Sequence, residues 1–295
     1  MSTRTFHPGE RAVQARAGVQ DRADHVGRGI GAVIPAVAAR FLSERRTLVV
    51  GAADHDGRLW AGLLSGPAGF LAADGERTLA VAARPAPGDP LASVLTAPAE
   101  VGTIALDPAG RRRMRLNGRA VPDGRGGLRI TAEQVYANCP KYIQRRHPLD
   151  TPSAPALVGS GTRLSTRQQL AASTADTFFI ASSGPDGGVD ASHRGGNPGF
   201  LTVHGPGLLS WPDYPGNNMF MTLGNLELHP AAGLLLPDWE TGGALMLSGR
   251  AEPDADRTVW FTVERVVELA GAAPLRWTEP EYSPANPPSA PSAQR

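Results

Sequence analysis

Apolar and polar residues alternate in short blocks along most of the chain, and only its beginning carries a helical rhythm. Val13, Ala17, Val19, Ala23, Val26 and Ile30 recur at roughly helical spacing with charged residues between them, which predicts a helical segment over 1–40. Pro35 interrupts it, and Phe41 and Leu42 lead into a first predicted strand over 47–52. Further strands follow over 59–64, 78–82, 101–106 and 113–120, with turn chemistry at Asp56-Gly57, Asp74-Gly75 and Pro108-Ala109-Gly110. One helix breaks the series over 90–95. Asp89 is its expected N-cap, Pro90 its first residue, and Leu91, Val94 and Leu95 its buried face.

The second half repeats the plan. A strand over 177–182 is followed by an Asp186-Gly187-Gly188 turn. GPAGFL at 66–71 matches GNPGFL at 196–201, LNGRA at 116–120 matches LSGRA at 247–251, and Val101-Gly102 matches Ala232-Gly233. An offset of about 131 residues across three separated landmarks indicates an internal duplication. The expected division is a helical segment over 1–40, a first barrel over 41–150, a linker over 151–172, a second barrel over 173–272 and a structureless tail over 273–295. About six strands per copy suggests two small barrels packed as an intramolecular pseudo-dimer.

Composition narrows the function classes. With 41% hydrophobic and 19% charged residues the chain can bury a core, and a net charge of +1 gives no global field for nucleic acid or an anionic membrane. No apolar run approaches the ~20 residues needed to span a bilayer, and Met1 to Glu10 lack a signal-peptide layout, so a cytoplasmic protein is expected. The single cysteine, Cys139, rules out an internal disulfide framework, and the seven histidines show no metal-ligand spacing, so no metal is expected. All but one of the 29 basic residues are arginine, the exception being Lys141.

Comparing the copies locates candidate chemistry. The second strand of copy one, Trp60 to Gly66, is bland and apolar; that of copy two, Ala191 to Asn197, contains Ser192, His193 and Arg194 among glycines. The helix of copy one is preceded by Pro87-Gly88-Asp89-Pro90, an acidic cap. Copy two has Pro215-Gly216-Asn217-Asn218, a neutral cap whose backbone N–H groups could face an anion, with Arg194 as bidentate countercharge. Only copy two is equipped to hold a phosphate. Trp211 could flank a planar ring or pack on the barrel rim. The Arg111 to Arg115 run reads as an amphipathic strand with a solvated basic face, the alternative being a grip on an anionic substrate or reductant through Arg113 and Arg115.

Residues Phe178 to Arg250, with ASHRGGNPGF at 191–200, PDYPGNNMF at 212–220 and LMLSGRA at 245–251, resemble the pyridoxamine 5'-phosphate oxidase-related flavoproteins, which are FMN-binding split barrels. NCPKYIQRR at 138–146 extends the resemblance to copy one, so it covers most of 40–270. It implies a mainly β fold with minor α: two tandem FMN-binding split β-barrels, the first a degenerate cofactor half and the second the phosphate half. FMN would lie between them. Ser192, His193, Arg194, Asn217 and Asn218 would hold its phosphate, Thr222 would add a hydroxyl, and Lys141 and Arg145 would reach in from the first barrel. Met219 stands where many relatives carry arginine, and Arg276-Trp277 departs from the C-terminal motif of the vitamin B6 oxidases.

The expected function is that of an FMN-dependent oxidoreductase with a small-molecule substrate and a nicotinamide or deazaflavin reductant. His193 is the one candidate acid/base, since an imidazole can exchange a proton near neutral pH. A non-catalytic flavin- or haem-binding storage or sensor protein is the alternative. Nucleic-acid and membrane partners are not expected, and further dimerisation of the pseudo-dimer stays open.

Overall fold

The computed structural model describes residues 5–216 and 218–288. The helical segment is three helices: α1 (Pro8–Arg16), α2 (Gln20–Gly27) and α3 (Ala36–Ser43). The α1 N-terminus is fixed by a reciprocal cap. The His7 ring accepts from the backbone at Gly9, and Glu10 accepts from the His7 N–H. Gly18, in the left-handed region, ends the first run, and Pro35 starts the third helix.

The first barrel contains β1 (Thr47–Ala53), β2 (Leu59–Ser65), β3 (Leu71–Ala73), β4 (Thr78–Val81), the short α4 (Leu91–Val94), β5 (Ala99–Asp107), β6 (Arg112–Pro122) and β7 (Leu128–Ala137). Then come β8 (Pro148–Asp150), β9 (Ala156–Gly161) and α5 (Thr166–Thr174). The second barrel has β10 (Thr177–Ser183), β11 (Val189–Gly195), β12 (Thr202–Gly205), β13 (Leu208–Pro212), α6 (Met221–Leu228), β14 (Ala231–Pro237), β15 (Ala244–Pro253) and β16 (Thr258–Ala270), before β17 (Leu275–Trp277). The first sheet runs β2-β1-β5-β6-β7-β4-β3 and the second β11-β10-β14-β15-β16-β13-β12, the same antiparallel path twice. The fold is mainly β, two tandem split barrels packed as an internal pseudo-dimer.

Two of the repeated glycine landmarks have a steric cause. A Cβ at Gly118 or Gly249 would collide with the carbonyl of Thr131 or Thr262, at the matching bulges of β6–β7 and β15–β16. A Cβ at Gly102 would fall 2.5 Å from the backbone of Val189 and Asp190, and one at Gly233 would fall 2.6 Å from Leu59 and Trp60. These glycines let each barrel press a central strand against the other barrel's hairpin. The result is a shared core in which Phe179, Leu235, Met246 and Leu269 of the second barrel join Leu63, Leu64, Ile104 and Leu116 of the first.

Two boundaries read from the sequence are corrected. Residues 151–172 are not a bare linker: β9 pairs with β16, and α5 opens inside the span on a Ser165/Gln168 capping box. Nor do residues 273–288 lack structure. There, β17 pairs with β8, and Ser283 donates its N–H to Gln144. The rest of the tail lies outside the described residues. No helix among those described is long and apolar enough to cross a membrane.

Candidate functional site

Gly51 faces Gly102 in the first barrel and Ala181 faces Gly233 in the second, which fixes how the hairpins correspond. Gly62 then corresponds to Ser192, Leu63 to His193 and Leu64 to Arg194. This is one residue out of step with the pairing of 60–66 with 191–197, a slip the structure corrects. The contrast survives the correction, since apolar residues still stand opposite polar ones.

His193 is buried on β11, and Arg194 beside it is half-buried. Across the barrel interface, β6 brings in Arg113, whose Nη1 donates to Nδ1 of His193 at 2.7 Å. Burial, followed by the charges of Arg113 and Arg194, holds the imidazole pKa far below its usual value, so His193 is neutral. With Nδ1 accepting, its proton sits on Nε2, which is buried and has no partner. His193 thus presents an unmet donor. It does not exchange protons near neutral pH, as an imidazole at its ordinary pKa would.

Burial and the neighbouring Arg194 lower the Arg113 pKa to about 10, leaving it a cation at neutral pH. Among the described residues no carboxylate pairs with it. Arg194 lies 3.5 Å from Asp213, and the same carboxylate accepts from Arg257 at 2.5 Å. The Nε atoms of Arg194 and Arg257 and Oδ1 of Asn138 are also buried without partners. Two guanidinium groups thus share one carboxylate, and a third, Arg113, stands in the same cleft without one. Arg115 does not add to the excess, because Asp190 binds it at 2.6 Å and also accepts from Asn117 and Asn225.

These side chains line a cleft that encloses about 100 Å³, or about 820 Å³ with its open mouth. The second barrel contributes Ser192, His193, Arg194 and Thr222, the first Arg113, Arg115, Asn138 and Tyr142. Thr222 Oγ1 donates to Ser192 Oγ at 3.0 Å. Thr222 lies in the first turn of α6, whose N-cap is Phe220 with left-handed backbone and no side-chain cap. Asn218 lines the cleft, whereas Asn217 lies outside the described residues.

Trp211 is 1% exposed and packs edge-on against Phe178 inside the second core, so it does not face the cleft. The aromatic flank is Tyr142 and Tyr214, whose rings lie 5.2 Å apart. Lys141 is exposed and outside the lining, and Arg145 pairs with Glu281 at 2.8 Å on the far side of that segment. The reach across the interface comes from Arg113 and Tyr142 instead.

Arg113 and Arg115 lie on the face that alternation alone marks as solvated. The duplication held the signal that places them here. Their counterparts on β15 are Ala244 and Met246, so one barrel is charged where the other is apolar. The mirror-related position, with Leu63, Leu64, Ala244 and Met246, is part of the shared hydrophobic core. One of two related sites is charged and the other is filled.

No family model matches the chain, and no curated protein does. Among solved structures it is similar to HupZ of Group A Streptococcus, at 12% identity over 35% of this chain and 98% of that one, with a TM-score of 0.29. An F420 reductase is 15% identical over 32% of this chain and 90% of its own, with a TM-score of 0.24. A putative 5-nitroimidazole antibiotic resistance protein from Bacteroides thetaiotaomicron is 10% identical over 45% and 100%, with a TM-score of 0.27. The chemistry of the cleft is therefore read from its own residues.

Among the described residues no three His, Cys, Asp or Glu side chains gather to hold a metal. The donors do suit a phosphate. It would offer acceptors to the unpartnered Nε2 of His193 and to the forks of Arg113 and Arg194. Ligand clefts usually measure about 300–1,000 Å³, so the 100 Å³ enclosed here suits a phosphate group rather than a whole cofactor.

Proposed function

We propose that the cleft binds the phosphate of FMN and that the protein is an FMN-dependent oxidoreductase acting on a small molecule. The observation that carries the reading is the Arg113–His193–Arg194 cluster, built from both barrels, with a cation lacking a carboxylate and an imidazole N–H lacking an acceptor. A bound flavin would supply the redox chemistry. Arg113 and Arg194 would balance phosphate charge, His193 would donate from Nε2, and Ser192 and Thr222 would offer hydroxyls beside them. Tyr142 and Tyr214 would form the aromatic wall. Burial raises the pKa of both tyrosines, so neither supplies a base near neutral pH. The side chains therefore bind and orient, and electrons would come from a nicotinamide or deazaflavin donor.

The reading is tested by titrating purified protein with FMN and following the flavin absorption. Wild type takes up one FMN per chain. Arg113→Ala and Arg194→Ala each weaken uptake about 10- to 100-fold, the loss expected for a charge-assisted hydrogen bond. No uptake by folded wild type would sink the assignment. The neutrality of His193, the one candidate acid/base, also favours a second reading, a flavin carrier. Wild type that binds FMN but does not reduce it with NADH, NADPH or a deazaflavin donor would support the carrier.

A further inference from the structure

We propose that Arg257 is a specificity-determining residue, which tunes the cleft for a phosphate monoester dianion. The inference rests on the flavin-phosphate reading above and adds a residue that neither the sequence pattern nor that reading contains.

Arg257 is left-handed in a hairpin loop of a kind whose left-handed closing residue is otherwise glycine. Four other hairpin loops, 54–58, 74–78, 123–127 and 184–188, close with the N–H of the first residue donating to the carbonyl of the fifth. In three of them the fourth residue is left-handed, Gly57 at φ +79°, Gly126 at +99° and Gly187 at +81°, while in 74–78 the left-handed residue is the second, Gly75 at +76°. The loop from Asp254 to Thr258 closes the same way, yet its fourth residue is Arg257 at φ +63°. Gly126 is its counterpart in the first barrel. A side chain in this conformation costs about 1–3 kcal/mol and persists where something else requires it.

The cleft is where that requirement lies. Among the described residues, those other than glycine with positive φ are Arg111, Tyr142, Asn218, Phe220 and Arg257, and all but Arg111 line it. Arg111 has a structural use, since its guanidinium donates to the carbonyls of Ile143, Glu281 and Tyr282. Arg257 instead lies over the Phe220 ring at 5.1 Å, pairs with Asp213, and keeps a buried Nε without a partner.

Charge accounting gives the arginine its role. Arg113, Arg194 and Arg257 bring three positive charges, Asp213 cancels one, and the neutral His193 adds none. Two charges remain, which matches a phosphate monoester near neutral pH. Without Arg257 the excess would be one, suited to a carboxylate or a phosphodiester.

The test is to titrate wild type and Arg257→Gly with FMN, riboflavin and inorganic phosphate, and to record melting temperatures without ligand. The expected result is about 10- to 100-fold weaker FMN binding, unchanged riboflavin binding, and a melting temperature equal to or above wild type. Arg257→Asn, which also tolerates left-handed backbone, should behave alike. A purely structural arginine predicts the opposite: a lower melting temperature, with FMN and riboflavin weakened by the same factor or not at all. That result overturns the proposal. If wild type binds no FMN, the flavin reading fails separately. Stabilisation by inorganic phosphate that is lost in Arg257→Gly would then still support Arg257 as an anion ligand, and equal stabilisation of both proteins would refute it.

Discussion

Asp89 shows what became of the mirror-related site. Its carboxylate lies against Gly62, the counterpart of Ser192, where an added Cβ would come within 2.7 Å of Oδ2, and it caps α4 by accepting the Leu91 N–H at 2.8 Å. Burial raises its pKa to about 6, against the weaker lowering effect of that hydrogen bond. The folded state therefore keeps a proton that the unfolded chain has lost between the ordinary aspartate range and pH 6. Stability should fall as pH rises through that window and stay lower above it, by an amount on the order of 1–3 kcal/mol. Asp89→Asn keeps an acceptor for the cap and removes the charge. Denaturant titrations at pH 4 and pH 7 should show the variant gaining on wild type only at the higher pH, and an equal difference at both would refute the assignment. Sequence comparison of the copies identified the cap and the polar strand of Ser192, His193 and Arg194. It could not reveal that Trp211 faces inward, because a strand's two faces are distinguished by what the sheet packs on.

At the scale of elements, the helices around the cleft are positioned by a backbone contact. An added Cβ at Gly224 of α6 would lie 2.5 Å from the backbone of Glu10, and one at Gly9 would strike the Gly224 carbonyl. This close crossing buries Glu10, whose pKa rises to about 8 through burial first and Asp190 second. It also seats His7 within 2.8 Å of Asn225. Gly224→Ala should cost about 1–3 kcal/mol, as overpacking does. It should expose α1 to limited proteolysis and weaken FMN binding, because Thr222 is carried by the same helix. Unchanged melting temperature and proteolysis would mean that α1 is not clamped there. The helical rhythm of the first forty residues was legible because it depends on local periodicity. The docking partner was not, since two small residues meeting across more than two hundred positions leave no local pattern. The burial of Arg113 was hidden for a related reason: its strand alternates as a solvated strand does, but the second barrel supplies the cover.

The whole molecule is a dimer made covalent, and the asymmetry between its halves is what the connection permits. A homodimer must carry the same residues in both of its related sites. Here one site has Arg113, His193 and Arg194 and the other has Leu63, Leu64 and Ala244, so the filled side can stabilise the interface that the charged side weakens. Two observations argue that the halves cannot fold apart. Second-barrel side chains complete the first barrel's core, and β8 before the second barrel pairs with β17 after it. Separating the chain between Ser153 and Ala156, where no strand is interrupted, tests this directly. The two pieces expressed together should purify as a 1:1 complex that binds FMN with near wild-type affinity, since the interface already holds them. Each piece expressed alone should aggregate or fail to melt cooperatively, because it would expose the apolar strands that now face the other barrel. A first half that is monomeric and melts cooperatively by itself would show that the shared core is not needed for folding, and that duplication joined two domains already able to stand alone.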